Sequence, residues 1–248
     1  MFFVAFAQNA IVPPQAHRVP PFITHIPFAH YHFSATMLAA TLLVLYVPAM
    51  LMLLLRAFEN TQTSELIFFA AFLFSCLCEG CRILIPLFAL GESFSQLQLF
   101  VGRVLFIGRM LAPLSFVGAA IMSDSDQRQD LERNVLIIVA VAILCAISVP
   151  LNTAQVTSAC AITWGFPRLF VAMRIALALT AFVSFLINGY RLDSAPLKHI
   201  AAASLILLCG YQALAIADNF VFLAIGVALL ATGTIQLLTN LHKLYLWK

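Results

Sequence analysis

Long apolar runs alternate along the chain with short polar breaks. They cover residues 34–55, 66–90, 97–122, 135–151, 169–188, 200–217 and 220–241. Each is close to the ~20 residues that carry a helix across a bilayer. Barrel strands would be about half that length and would alternate apolar with polar positions, which these runs do not. A backbone within lipid must satisfy its own polar groups, so helix is the remaining choice. The pattern predicts an all-α, polytopic membrane protein. Its seven-helix transmembrane domain spans 34–248, behind an extracytoplasmic tail, 1–33. That tail holds Pro13, Pro14, Pro20, Pro21 and Pro27 with His17, His25, His30 and His32. Its prolines exclude a regular helix. The opening residues carry Ala5-Phe6-Ala7, the small-x-small pattern at the end of a signal peptide, but no basic n-region. They read either as the remnant of such a peptide or as a plain tail.

Composition sharpens this picture. Hydrophobic residues make up 63% of the 248 and charged residues 9%, with a mean hydropathy of +1.02. A soluble domain carries about 25% charged residues, so there is too little polar side chain here to cover a water-facing surface. The net charge of +3 is scattered, and no basic stripe marks a nucleic-acid partner. Loop lysines and arginines set the expected orientation. Arg56, Arg128, Arg133, Arg191, Lys198, Lys243 and Lys248 fall at one set of span ends, Arg18 and Arg168 at the other. By the positive-inside rule the N-terminus is expected outside and the C-terminus in the cytoplasm, in an inner or plasma membrane.

Charges inside the spans are costly, each about 2.5–3.5 kcal/mol or more at the bilayer centre, and they turn inward to find partners. Glu79 and Arg82 lie in the second span, Arg103 and Arg109 in the third, Arg174 in the fifth, and Asp218 at the outer end of the sixth. At 1.5 Å per residue, Glu79 falls ~16 Å and Arg109 ~18 Å below the outer boundary, on consecutive antiparallel helices. A buried Glu79–Arg109 ion pair is expected. Arg82, Arg103 and Arg174, with Asp218 nearby, are expected to form an outward-open site for a small anionic or amphiphilic ligand, because a guanidinium presents a planar fork to carboxylate or phosphate. The competing reading makes the charges purely structural, with Arg103 and Arg174 snorkelling to the interface.

Other polar positions repeat on helical faces. Ser75, Glu79, Arg82 and Pro86 align in span two, and Ser204, Tyr211 and Asp218 in span six. Thr232, Gln236, Thr239 and Asn240 cluster in span seven. These stripes are expected to face inward. The segment 152–167, with Trp164, is expected either to fold over the bundle mouth or to sit at the interface. The segment 123–133 reads as a solvated cytoplasmic loop. No catalytic motif stands out. Cys76, Cys78 and Cys81 do not converge on a helix, and no metal site or cofactor is expected.

The run Leu53-Leu-Leu-Arg-Ala-Phe58, the apolar span at 66–90 and Gly108-Arg-Met-Leu-Ala-Pro-Leu114 resemble the first three spans of bacterial seven-transmembrane receptors with diverse signalling modules. Members of that family usually add an outer sensor domain and an inner kinase or cyclase, and these 248 residues hold neither. The resemblance implies a sensor in the lipid bilayer that signals through a separate protein partner. An anion transporter, or a structural membrane subunit without ligand, are the alternatives.

Overall fold

The computed structural model describes residues 30–57, 64–90, 96–123 and 131–246. Residues 124–130 of the loop expected at 123–133, and most of the N-terminal tail, including His17 and His25, lie outside them. Seven helices among the described residues are long and apolar enough to cross a membrane. They are α1 (Phe33–Ala57), α2 (Ser64–Glu79), α3 (Gln96–Met122), α4 (Leu131–Ser148), α5 (Pro167–Arg191), α6 (Ala195–Ala215) and α7 (Phe220–Leu246). The second span runs on past α2 through a 3₁₀ turn (Gly80–Ile83) and a last helical turn (Leu84–Leu87). The chain is a multi-pass membrane protein. Exposed Leu, Ile, Val and Phe side chains cover its flanks, above all on α4 and α5, as contact with lipid requires.

Helix α3 is the most buried span. It packs against α2, α4 and α5, while α6 joins α5 to α7. Small residues bring the closest pairs together. A methyl group on Gly108 of α3 would lie 2.6 Å from Cys78 Cβ and 3.0 Å from the Ser75 carbonyl oxygen. Only glycine lets α3 approach α2 this closely, and Arg109 is the next residue. The pair α6–α7 interleaves similarly: Gly210 meets Leu230, Gly226 meets Leu214, and Gly233 meets Leu207.

Among the described residues, one segment forms strands. After α4 the chain forms a hairpin, β1 (Leu151–Val156) with β2 (Ile162–Trp164), antiparallel, with Leu151 opposite Trp164 and an irregularity between Asn152 and Val156. The fold is mostly helical, as expected, but the fourth span expected to reach residue 151 ends sooner and is corrected here. Pro150 disfavours helix at Val149, so α4 stops at Ser148. The turn Thr157–Ala161 closes with Cys160 N–H donating to the Thr157 carbonyl (3.0 Å) and Thr157 N–H to the Ala161 carbonyl (2.8 Å). Cys160 takes a left-handed backbone, φ 52°, a position that glycine usually fills.

The polar stripe expected to face inward on α7 also needs correction. Thr232, Gln236 and Thr239 are exposed. Thr232 and Thr239 donate to the carbonyls of Ala228 and Ile235, four residues back on their own helix. A hydroxyl satisfied in this way can face lipid. The buried polar residue of α7 is Thr234, which pairs with Tyr46 of α1 at 2.7 Å.

Candidate functional site

The polar centre of the molecule lies in the half of the bundle that the hairpin covers. Glu79 ends α2 and is fully buried. Arg109 of α3 meets it side-on, Nε to Oε1 at 2.6 Å and Nη2 to Oε2 at 3.2 Å. Tyr211 of α6 also donates to Oε1, at 3.3 Å. Beyond Glu79 the helix tightens to a 3₁₀ turn, in which residues three apart eclipse. Arg82 therefore stands directly over Glu79, its Nε 3.3 Å from Oε2 but not aligned as a hydrogen bond.

Three buried arginines surround this one carboxylate, and the end of α6 supplies much of what is missing. A helix C-terminus leaves carbonyls without intrahelical donors and carries a partial negative charge. Arg82 donates to the Ala215 carbonyl (2.7 Å) and the Leu214 carbonyl (3.2 Å), and Arg109 to Ala215 (3.1 Å). Arg82 also reaches the Ala159 carbonyl in the hairpin turn at 3.5 Å. Arg82 is thereby sealed inside the protein, at 0% exposure. The fork expected to meet a ligand meets backbone oxygens instead.

Arg174 is placed differently. Its Nε donates to the Phe170 carbonyl (3.3 Å) and its Nη1 to Gln212 Oε1 of α6 (3.0 Å). The indole of Trp164 lies against both Arg174 and Arg109, with each guanidinium carbon 5.4 Å from a ring centroid. Phe106 and Phe170 pack edge-on against Trp164. Trp164 is thus buried beside two cations, and its Nε1 has no hydrogen-bond partner among the described residues. Arg174 and Gln212 also line a half-open cleft of about 350 Å³ between α5 and α6.

The remaining expected site residues lie apart from this cluster. Arg103 is exposed on α3, ~9 Å along the helix from Arg109, and no contact joins it to Arg82 or Arg174. Asp218 is buried and accepts from Ser158 Oγ (2.9 Å) and Asn219 Nδ2 (3.0 Å). It anchors the hairpin turn and makes no ion pair with the arginines among the described residues. Tyr31 tucks in nearby, its hydroxyl pushed up to about 12, chiefly by burial, with Cys160 and Asp218 adding to the effect. Among the described residues no group of three His, Cys, Asp or Glu converges to hold a metal ion. Sequence reasoning missed Gln212, whose signal was a lone carboxamide in the apolar run of α6. It missed the carbonyls of Leu214 and Ala215 for want of any signal.

Cys160 reports on the seating of the hairpin. Burial pushes its thiol up to about 12, against the opposing pull of Arg82. Relative to a free cysteine, the thiolate fraction at pH 8 then falls by on the order of a thousandfold. Iodoacetamide at pH 8 is expected to modify Cys160 of the folded protein far more slowly than that of the denatured chain, read by mass spectrometry of the hairpin peptide. Asp218→Ala, which removes the anchor of Ser158, should raise the rate. Equal rates in folded and denatured protein would mean that the turn is not seated.

In comparisons with protein-family models, curated proteins and solved structures, nothing matches this chain.

Proposed function

We propose that this protein is a membrane receptor-type sensor that binds an anionic ligand at Arg174, in the hairpin-covered half of its bundle, and signals through a separate protein partner. The supporting observation is an imbalance. Arg82, Arg109 and Arg174 are buried around a single carboxylate, and Arg174 borders a cleft. Buried charge is expensive unless paired, and an anion beside Arg174 would bring the count of charges closer to even. In this reading the hairpin end faces outward and the basic ends of α1, α5 and α7 face the cytoplasm of a cell or inner membrane. The ligand acts by binding one helix arrangement better than another. The 3₁₀ turn after Glu79 and the hairpin resting on Arg82 and Asp218 are the elements whose arrangement it biases. The outward-facing Gln236 and Thr239 favour a receptor over a carrier, since they line no polar route through the other half.

The test is a thermal-stability screen of the purified protein against small anions and anionic amphiphiles, with Arg174→Gln beside it. A ligand held a hundredfold above its dissociation constant should stabilise the wild type by about 2.7 kcal/mol and the variant much less. Absence of any Arg174-dependent stabilisation would leave the charges as structural pairs only.

A further inference from the structure

The cleft between α5 and α6 has the build of a site for a lipid-like molecule and not for a hydrophilic anion. Its lining is almost wholly apolar, and Arg174 and Gln212 supply its charged and carboxamide groups. Ligand pockets typically combine such a lining with a few placed polar groups. The polar pair is not central. Val171 and Ile216 lie on the hairpin side of it, and Leu179 and Leu205 on the far side. On α6, Gln212 is ~6 Å from the hairpin-side limit at Ile216 and ~10 Å from the other limit at Leu205. A molecule seated there would hold its polar head toward the membrane surface and its tail toward the bilayer middle, the direction in which lipids of that leaflet already point.

Donors remain for that head. Arg174 Nε and Nη1 have protein acceptors, but Nη2 has none among the described residues, and Gln212 Nε2 likewise donates to none. One guanidinium nitrogen and one carboxamide nitrogen suit the two oxygens of a carboxylate, and a charge-assisted bond to guanidinium is the stronger kind. The size of the cleft limits the tail. At about 350 Å³ it sits at the small end of the range of ligand pockets, roughly 300–1,000 Å³, which favours one chain over two.

We infer that the α5–α6 cleft binds a single-chain carboxylate amphiphile of fatty-acid type, entering sideways from the bilayer, with its carboxylate on Arg174 Nη2 and Gln212 Nε2 and its chain along Leu179 and Leu205. This rests on the reading of Arg174 as the anion contact and names the ligand class for it. Trp164, 5.4 Å from the Arg174 guanidinium, is a built-in probe. The chain has two tryptophans, so a Trp247→Phe background leaves Trp164 as the sole emitter.

The experiment titrates this protein, in nanodiscs of neutral lipid, with dodecanoate brominated beside its carboxylate, and separately at its far end. The expected result is saturable quenching of Trp164 by the first probe and much weaker quenching by the second. Dodecanoate should compete, whereas dodecanol and diacyl phosphatidylglycerol should not. Arg174→Gln should weaken binding by about tenfold or more. Ala178→Phe, which fills the cleft and leaves every polar contact in place, should abolish it even if the arginine variant folds poorly. Quenching that is non-saturable, equal for both probes, or unchanged in Ala178→Phe would mean simple partitioning and would overturn the inference. Arg174-dependent stabilisation by acetate or inorganic phosphate without Trp164 quenching would overturn the amphiphile and keep the anion site. Loss of both signals would remove both.

Discussion

Arg109→Leu is expected to lower the stability of the folded bundle by about 3–5 kcal/mol, while Arg103→Leu changes it by no more than about 0.5 kcal/mol. Both replacements remove one arginine from the same helix, and both make the span more apolar. The difference lies in what is left behind. Arg109 makes two hydrogen bonds to Glu79 and one to the Ala215 carbonyl. Without it Glu79 retains Tyr211 and the poorly aligned Arg82 in a fully buried place. A buried carboxylate stripped of its main partner costs far more than the pair contributed. Arg103 is exposed and strands nothing. Unfolding of the purified variants in mixed micelles, followed by circular dichroism, reads the difference. Similar losses for the two would mean that the Glu79 cluster is not the fold's electrostatic keystone. Glu79→Gln in the Arg109→Leu background should restore part of the loss, because it removes the stranded charge.

The second large effect is expected where no charge is involved. Gly210→Val should destabilise the protein by about 1–3 kcal/mol or more, against no more than about 0.5 kcal/mol for the exposed Ala231→Val. A Cβ on Gly210 would lie 2.5 Å from the Leu230 nitrogen and 3.0 Å from its Cα. Backbone cannot rotate aside as a side chain can, so α6 and α7 must separate. Gly233, opposite Leu207, and Gly226, opposite Leu214, depend on the same close approach. In lipid, where apolar burial gives little drive for helices to associate, such contact supplies much of the attraction. The end of α6 also carries Tyr211, Gln212, Leu214 and Ala215, so a shifted α6 should weaken ligand binding at Arg174 as well as stability. A valine variant that melts with the wild type would place α6 and α7 in another register.

The seven spans are legible in sequence because lipid demands length and apolarity together, and little else in the chain imitates that. Glu79 and Arg109 can be brought level from sequence alone, since consecutive spans are antiparallel and helix rise converts residue number into depth. Other features resist such counting. Arg82 reads as a ligand contact when only side chains are counted, because the carbonyls that hold it belong to a helix end whose position depends on packing. Trp164 lies in a segment of ordinary loop composition, and its place against two guanidinium groups follows from the hairpin that Pro150 starts. Thr232 and Thr239 look inward by composition, yet a hydroxyl that bonds its own helix no longer needs a neighbour. Gly108 carries no chemistry of its own, but without its missing side chain α3 would stand off from α2 and Arg109 would sit farther from Glu79.

The claim that Arg174 is an anion contact is tested most directly by counting what binds. Native mass spectrometry of the protein released from detergent, titrated with dodecanoate, should show one bound carboxylate per chain in the wild type and a strongly reduced fraction in both Arg174→Gln and Ala178→Phe. Equal occupancy in all three proteins, or none in the wild type, would overturn the amphiphile; if acetate and inorganic phosphate then also fail to bind in an Arg174-dependent way, the account is contradicted and the buried arginines are a structural device that joins the hairpin to α2, α3 and α6.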